Sequence, residues 1–454
     1  MGKESKRTGL KGGRKMMRSR IKRDLNSIWL LAAPIIIENI LQSLLGTVDT
    51  YFAGQLDDLA IAGIGVTSLI MNMYISFFTA VSVGTVAVVS RFYGRKEYNM
   101  VNRAVIHSLT AGVGIGVFVG LISAFFSTPI LRLSGAKSHI MECTMPYYLI
   151  VAVPCVFLCL QLTLSACLRA IKDTRTPMYV TGLSNILNIV LNALFIHLGF
   201  GIFGLGLATT LSRAIGTAAL FLRLRQHDAN VSLHPCKLTK QEFHTILRIG
   251  IPAGGEKLIM RVGQLVYGAM IISLGDSAYV AHNIAGNLES YIIVPSMGFG
   301  LAVCTMVGVS LGENNIPQAK RQTTIAYSLA ASSGAVIGIL LIVFAPRLTA
   351  IFSKTAEVQK LASSVLRISA VVLPFSSLVQ IMNNALQGAG DTKFPMYTTL
   401  IGIWGIRVCV GYAFAVYLGL GRFGVWLAYG LDVILRSILL VGRYHQGAWM
   451  KITI

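Results

Sequence analysis

The chain repeats itself at a spacing of about 218 residues, and both copies are rich in apolar residues. Pairs at this spacing are Pro34 and Pro252, Glu38 and Glu256, Gly94 and Gly312, and the Asp-Thr-x-x-Pro-Met-Tyr segments that begin at Asp173 and Asp391. A later segment, 198–208, returns at 418–428, a spacing of 220. Repeats in the same orientation, related by an axis along the membrane normal, are typical of transporters with a central site. We therefore expect two halves that share one fold and one direction through a membrane.

The composition excludes a soluble protein. Hydrophobic residues make up 54% of the chain and charged residues only 13%, so polar groups are too few to cover a water-exposed surface. The net charge of +21 is concentrated at the N-terminus, where ten of the 39 Lys and Arg residues lie between Lys3 and Arg23. A basic tail beside a membrane helix is retained in the cytoplasm and attracts anionic lipid. We expect a lipid bilayer as partner and no nucleic acid, because no aromatic residues are interleaved with these charges.

The apolar stretches predict an all-α integral membrane protein. A helix needs roughly 20 apolar residues to cross a bilayer. Twelve such stretches lie at about 28–52, 60–90, 104–127, 144–168, 178–198, 202–224, 247–274, 279–310, 324–345, 364–387, 397–418 and 422–442. They form two pseudo-symmetric lobes of six helices. The predicted divisions are a basic tail over 1–25, an N-lobe over 26–225, a polar linker over 226–243, a C-lobe over 244–445 and a C-terminal tail over 446–454.

Charges in the connections predict the orientation. Basic residues concentrate in the even-numbered connections, for example Arg91, Arg95 and Arg169, whereas the first odd-numbered connection holds Asp57 and Asp58. Basic connections stay on the cytoplasmic side. We therefore expect a multi-pass protein of the cell membrane with both termini in the cytoplasm.

Carboxylates inside the predicted spans are candidates for function. Each costs about 2.5–3.5 kcal/mol on insertion scales, so such groups usually face a cavity. Glu38 and Asp49 share one face of span one, because eleven residues are almost three helical turns. Asp49 has Tyr267 at its repeat position, which suggests a role special to the N-lobe. Glu38 and Glu256 are repeat mates, and they are either coupling carboxylates or scaffold residues near Pro34 and Pro252.

Polar residues in other spans add possible partners. Asn185, Asn188 and Asn192 form one stripe on span five. With an acid and a hydroxyl they would coordinate a proton or sodium; the alternative is hydrogen bonding between helices. Arg261 lies five residues after Glu256 and is a candidate counter-ion. Asp432 either pairs with Arg436 one turn away or serves a function.

Several of these pieces resemble the multidrug and toxic compound extrusion (MATE) family. They are Pro34-(x)14-Asp49-Thr50, Asn188-Ile189-Val190-Leu191-Asn192, Ala253-Gly254-Gly255-Glu256 and the duplicated Asp-Thr-x-x-Pro-Met-Tyr segments. The resemblance covers about residues 25 to 445. It implies two six-helix lobes around a central cavity, and export of organic, often cationic, compounds against an inward flux of protons or sodium.

The resemblance also implies a cation-coupling site in the N-lobe. Asp49, Asn188 and Thr210 resemble its span-one aspartate, span-five asparagine and span-six threonine. Asn192 stands where many relatives have a second aspartate, so the site would hold a single carboxylate. Glu256 resembles the span-seven acid of a second site in the NorM-like branch, but the span-ten acid of that site has no counterpart here. The coupling ion, a proton or a sodium ion at Asp49, therefore stays open.

The expected function is secondary active export of organic cations by alternating access. Asp49, Asn188, Asn192 and Thr210 would couple the cation, while Glu38, Glu256, Arg261 and Asn185 are candidates for coupling or for lining the substrate cavity. We expect a monomer, no enzyme activity, no metal beyond sodium and no other cofactor. The alternative is a flippase or an exporter of lipid-linked or polysaccharide cargo, for which Arg261 and Arg407 would supply a basic cavity.

Overall fold

The computed structural model describes the backbone of residues 2–136, 138–226 and 237–453, and the side chains from residue 19 onward except 138 and 139. These residues form helices and no strand, which confirms the predicted all-α class. The N-terminal half contains α1 (Gly2–Gly54), α2 (Asp58–Gly94), α3 (Tyr98–Phe125), α4 (Ser127–Leu133), α5 (Ser138–Ala152), α6 (Val156–Ala170), α7 (Arg175–His197) and α8 (Gly201–Gln226). The C-terminal half contains α9 (Lys240–Ser273), α10 (Asp276–Ile292), α11 (Val294–Gly312), α12 (Ile316–Phe352), α13 (Ala356–Gly388), α14 (Lys393–Leu400) and α15 (Gly421–Gln446).

Helix boundaries repeat at the spacing found in the sequence. Helices α2, α3 and α7 begin 218 residues before α10, α12 and α14 (276 − 58, 316 − 98 and 393 − 175). Helices α8 and α15 begin 220 residues apart (421 − 201). The two extra residues lie in the preceding helix, which has 25 residues in the C-terminal half and 23 in the N-terminal half. There α14 continues as a π-helix over Ile401–Val410 and Ala413–Tyr417, a form that accommodates added residues and often marks functional sites.

The predicted spans are present as helices, with two of them broken. Within the described residues, ten helices are long and apolar enough to cross a membrane, and α5 with α6 forms an eleventh span that is bent by 43°. Pro154 lies at this break and removes a backbone donor. Predicted span eight divides into α10 and α11 at Ile293. Helix α9 corresponds to predicted span seven and has 34 residues. It is not counted among these spans, because it carries the charged residues Glu256, Lys257 and Arg261.

The predicted tail and linker are only partly described. The backbone of residues 2–25, predicted as a tail, is the first part of α1. The predicted linker over 226–243 includes residues 227–236, which lie outside the described residues, and α9 begins at Lys240.

The two halves pack closely where α2 and α11 end. At Gly94 an added Cβ would lie 2.2 Å from the Val309 carbonyl oxygen, and at Gly312 it would lie 2.2 Å from the Arg91 carbonyl oxygen. Val309 is the repeat mate of Arg91 (309 − 91 = 218), so each lobe presents a glycine to the same backbone position of the other. Only glycine permits this approach. We call this contact of Gly94 and Gly312 with the opposing backbones the glycine seam.

Candidate cation and substrate sites

Asp49 lies at the centre of a buried polar network between α1, α7 and α8. Its side chain is 4% exposed. The Asn192 amide nitrogen donates to Asp49 Oδ1 at 3.0 Å, and the Thr209 hydroxyl lies 2.9 Å from Asp49 Oδ2. Asn188 links the two partners, because its Oδ1 accepts from Asn192 at 3.1 Å and its Nδ2 donates to Thr209 at 3.3 Å. The structure thus brings together Asp49, Asn188 and Asn192, as the sequence analysis predicted.

The span-six hydroxyl that contacts Asp49 belongs to Thr209, one position before the predicted Thr210. The Thr210 hydroxyl donates to the backbone carbonyl of Ile150 at 2.8 Å and therefore ties α8 to α5. Successive residues of an α-helix point about 100° apart, so only one of two neighbouring threonines faces Asp49. That residue is Thr209.

Two residues near Asp49 were missed by the sequence analysis. Tyr147 from α5 is 4% exposed and lies close enough to Asp49 and Thr209 to interact with both. Arg213 from α8 interacts electrostatically with both Asp49 and Tyr147. A usable signal existed for Arg213, since it lies one helical turn after Thr209. No such signal existed for Tyr147, which lies in the broken span.

One buried acceptor in this network is unsatisfied. Asn192 Oδ1 has no hydrogen-bond donor within the described part of the chain, although Asn192 is fully buried. A buried acceptor without a donor costs about 1–3 kcal/mol. Because Nδ2 of this amide faces Asp49, rotation of the amide would turn Oδ1 toward the carboxylate, where a proton or a cation on Asp49 would satisfy it.

Glu38 forms an ion pair inside the N-lobe. Both of its carboxylate oxygens lie 3.1 Å from Arg169 Nη1, which links α1 to α6. Glu38 is 1% exposed and Arg169 is 9% exposed. The charge pattern predicts Arg169 in a basic cytoplasmic connection, whereas the structure places its side chain in this buried pair. Removing one partner of such a pair costs about 3–5 kcal/mol, which favours a structural role for Glu38.

Glu256, the repeat mate of Glu38, has neutral partners instead. Asn383 donates to Oε1 at 2.6 Å and Gln387 donates to Oε2 at 3.0 Å. Gln387 occupies the repeat position of Arg169 (387 − 169 = 218), so an amide replaces the guanidinium. The predicted ion pair between Glu256 and Arg261 is absent from the described contacts. Glu256 is therefore a buried carboxylate, 3% exposed, without a paired cation among the described side chains.

Asn185, a predicted cavity residue, serves helix packing. Its amide nitrogen donates to the Leu41 carbonyl at 2.6 Å and so fixes α7 against α1. It lies outside the hydrogen bonds that connect Asn188, Asn192 and Asp49.

A second group of buried charges lies in the C-lobe. Asp432 is fully buried and accepts hydrogen bonds from Arg407 Nε at 2.8 Å and from Arg436 Nε at 2.7 Å. The predicted pairing of Asp432 with Arg436 is therefore present, and Arg407 of the π-helix adds a second guanidinium. The same region contains a cavity of about 380 Å³ that is bordered by Arg407, Arg436 and Glu289.

The described residues contain no cluster of three or more His, Cys, Asp or Glu side chains that could hold a metal ion. The side chains that hydrogen-bond to Asp49 carry an amide and a hydroxyl group, so these groups and the carboxylate are the candidate oxygen ligands there.

Comparison with known proteins gives a consistent picture. The family model MatE matches residues 34–194 and 252–413, that is, one copy in each half of the chain. A transporter of Bacillus subtilis, YisQ, described as uncharacterized, is 27% identical over 432 residues, which cover 94% of this chain and 95% of that protein. The probable multidrug resistance protein NorM of Thermotoga maritima is 29% identical over 429 residues, which cover 93% and 92% of the two chains.

Solved structures show the same fold. A crystal structure of a MATE in the bent conformation matches with a TM-score of 0.89 at 23% identity and covers 95% of this chain and 98% of that chain. An outward-facing multidrug resistance MATE family transporter of the MOP superfamily matches with a TM-score of 0.88 at 23% identity, over 95% and 97% of the two chains. The two-lobe arrangement predicted from the repeat is confirmed.

Proposed function

The chain belongs to the MatE family of multidrug efflux transporters, and from this premise we propose that it exports small organic, typically cationic, compounds in exchange for protons or sodium ions. The proposed transporting unit is a single chain, because the repeat supplies both lobes. The proposed location is the cell membrane, with both termini in the cytoplasm. In this orientation the glycine seam closes the cytoplasmic end, since α2 and α11 end in connections predicted to be cytoplasmic.

The observation that carries this proposal is the Asp49 network. Asp49 is buried, and its hydrogen-bond partners Asn192 and Thr209 are neutral groups on two other helices. A carboxylate only accepts hydrogen bonds, whereas a carboxylic acid also donates one. Protonation of Asp49 would therefore reverse one bond of the network and change how α1 is held against α7 and α8.

Asn192 supplies the acceptor that this change requires. Its Oδ1 lacks a donor in the described structure, while both hydrogens of its Nδ2 serve Asp49 and Asn188. Rotation of the amide would present Oδ1 to protonated Asp49. Sodium would use the same oxygen atoms, because carboxylate, amide and hydroxyl oxygens suit hard cations. Either ion would move the lobes only through a difference in affinity between the two conformations.

The test is efflux from proteoliposomes. A fluorescent lipophilic cation would be loaded, and its exit compared under an imposed proton gradient and an imposed sodium gradient. Gradient-driven efflux that is lost in Asp49→Asn would support the proposal and identify the ion. Full activity in Asp49→Asn would refute the assigned site and move the coupling group to Glu256 or Glu38.

A matched pair of variants separates coupling from packing. Thr209→Val removes the hydroxyl beside Asp49, whereas Thr210→Val removes the neighbouring hydroxyl that bonds to the Ile150 carbonyl. Loss of coupled efflux in Thr209→Val alone is the expected result. Equal losses in both variants would indicate a general effect on α8.

Lipid-linked cargo is the second candidate, and one observation supports it. Arg407 borders the C-lobe cavity, where a guanidinium suits a phosphate group. Absence of efflux under both gradients would favour this alternative.

A further inference from the structure

The C-lobe cavity lies where the Asp49 network lies in the N-lobe. Tyr267 and Tyr429, which border the cavity, are the repeat mates of Asp49 and Thr209 (267 − 49 = 218 and 429 − 209 = 220). The guanidinium of Arg407 lies 5.8 Å from the ring centre of Tyr267 and 4.6 Å from that of Tyr429. The acid and the hydroxyl of the N-lobe network thus correspond to two aromatic rings in the C-lobe, and Arg407 lies against both rings.

Positive charge exceeds negative charge on one wall of this cavity. Arg407 and Arg436 share a single carboxylate, that of Asp432. The bonds to Asp432 involve Nε and Nη2 of each guanidinium, which leaves the Nη1 groups outside the ion pair. An arginine has five N–H donors and no acceptor. This wall therefore carries one net positive charge and offers hydrogen-bond donors.

Trp426 adds a donor that lacks an acceptor. It borders the cavity and is 2% exposed, and its indole N–H finds no hydrogen-bond partner in the described part of the structure. The indole nitrogen is a donor only, so a ligand that satisfies it must supply an acceptor. An anionic oxygen meets this need, whereas an ammonium group does not.

Glu289 is the other charged group at this cavity. Its carboxylate accepts a hydrogen bond from the Tyr429 hydroxyl, and it interacts electrostatically with Arg407. His282 also borders the cavity, near Arg407 and Tyr267. When Asp432 and Glu289 are both ionised, the two carboxylates and the two guanidinium groups have no net charge. Removal of the charge on either carboxylate leaves one positive charge in excess.

We propose that the C-lobe cavity binds a small organic anion, with its acidic group against Arg407 and Arg436 and its apolar part against the aromatic rings. A volume of about 380 Å³ falls in the range of small-molecule sites. A cation in the same place would lie beside two guanidinium groups. This inference extends the proposed export function to substrates with an acidic group, but its test is binding and does not depend on transport.

The test compares three probes of one shape on the purified full-length protein in detergent. Benzoate is anionic, benzamide neutral and benzylammonium cationic. Binding is measured by calorimetry, and the shift in unfolding temperature provides a second readout. Benzoate is expected to bind more tightly than benzamide, and benzylammonium not at all.

Two variants give opposite expected changes. Arg407→Gln should abolish benzoate binding. Glu289→Gln removes the opposing charge and should tighten benzoate binding about tenfold, given the strength of one charge in a partly polar interior. Arg422→Gln is the matched control, because Arg422 is a partly exposed residue of α15 paired with the exposed Glu357. It should bind benzoate as the unchanged protein does.

Three results would overturn the inference. The first is unchanged benzoate binding in Arg407→Gln. The second is benzylammonium binding that Glu289→Gln weakens, which would identify a cation site at Glu289. The third is stabilisation by dihexanoyl phosphatidate without any binding of benzoate, which would identify a lipid phosphate as the ligand. Benzoate binding is expected to become tighter in Glu289→Gln. This variant therefore tests the inference even if Arg407→Gln does not fold. A negative benzoate result beside intact cation efflux would reject this site and keep the proposed function.

Discussion

Replacing Gly312 with alanine is expected to open the end of the transporter that the glycine seam closes. The new Cβ would lie 2.2 Å from the Arg91 carbonyl oxygen and 3.0 Å from the Gly94 Cα. Carbon atoms pack at about 3.5–4.0 Å, so the two helix ends must separate by about 1 Å. The Arg91 carbonyl belongs to a helix and cannot rotate away alone.

The size of the effect follows from the cost of overpacking. An extra methyl group in a well-packed interior costs about 1–3 kcal/mol. The cost falls on the conformation in which the seam is closed, and a conformation with separated lobes does not bear it. The ratio of open to closed molecules should therefore rise about 5- to 150-fold, the range that corresponds to this free energy.

Spin labels on either side of the seam would measure the shift. Arg95 and Glu313 are exposed repeat mates beside Gly94 and Gly312, and each can be changed to cysteine in a background without the seven native cysteines. Distance distributions between the labels should lengthen in Gly312→Ala. The control is Gly114→Ala in α3, where an added Cβ meets no atom within 4 Å. Unchanged distances in Gly312→Ala, or the same change in the control, would refute the reasoning.

Three further predictions concern the buried carboxylates. Glu38→Gln should lower stability by about 3–5 kcal/mol, seen as a lower unfolding temperature in detergent, because Arg169 would be left buried without its partner. Adding Arg169→Gln should recover part of this loss, since two amides replace the two charges; a double variant less stable than Glu38→Gln would contradict the ion-pair explanation. Glu256→Gln should change stability by less than about 1 kcal/mol, because one of the partner amides, Asn383 or Gln387, can rotate and accept a hydrogen bond from the new NH2 group. Its efflux should fall at least tenfold if Glu256 shares in coupling, and efflux equal to the unchanged protein would assign Glu256 to the scaffold.

The sequence predicted the architecture well because the repeat constrains it twice. Each apolar stretch in one half has a mate in the other, so a doubtful span is supported by its counterpart. Span seven is an example. Helix α9 has too many charged residues to be recognised as a membrane span from its hydropathy alone, whereas its repeat mate α1 is recognised. The breaks were not predicted, because Pro154 and Ile293 interrupt spans whose mates are continuous helices.

The candidate site was predicted in part, and helix phase explains the difference. Asn188 and Asn192 are four residues apart, so a helix must place them on one side, and both meet in the Asp49 network. The choice between Thr209 and Thr210 depends on the rotation of α8 relative to α1. That rotation is set by packing between helices, which no local pattern records.

Partners from distant parts of the chain were the hardest to predict. Arg261 was chosen for Glu256 because it is near in sequence, but the partners of Glu256 come from α13 and α14, more than 120 residues away. The repeat held the missing information. Arg169 and Gln387 occupy equivalent positions, so finding the partner of Glu38 identifies that of Glu256, although a single sequence shows neither contact.

The comparison of repeat mates separates scaffold from chemistry in this protein. The repeat mates Gly94 and Gly312 are both glycine, and both serve the same structural purpose. Each lets one lobe approach the backbone of the other. Asp49 and Tyr267 differ, so a carboxylate in the N-lobe corresponds to an aromatic ring in the C-lobe. Glu38 and Glu256 are the informative intermediate case, because the residue is duplicated while its partner changes from a guanidinium to amides. A duplicated carboxylate thus forms an ion pair in one lobe and accepts hydrogen bonds from neutral side chains in the other, so the same scaffold position has different electrostatic surroundings in the two lobes.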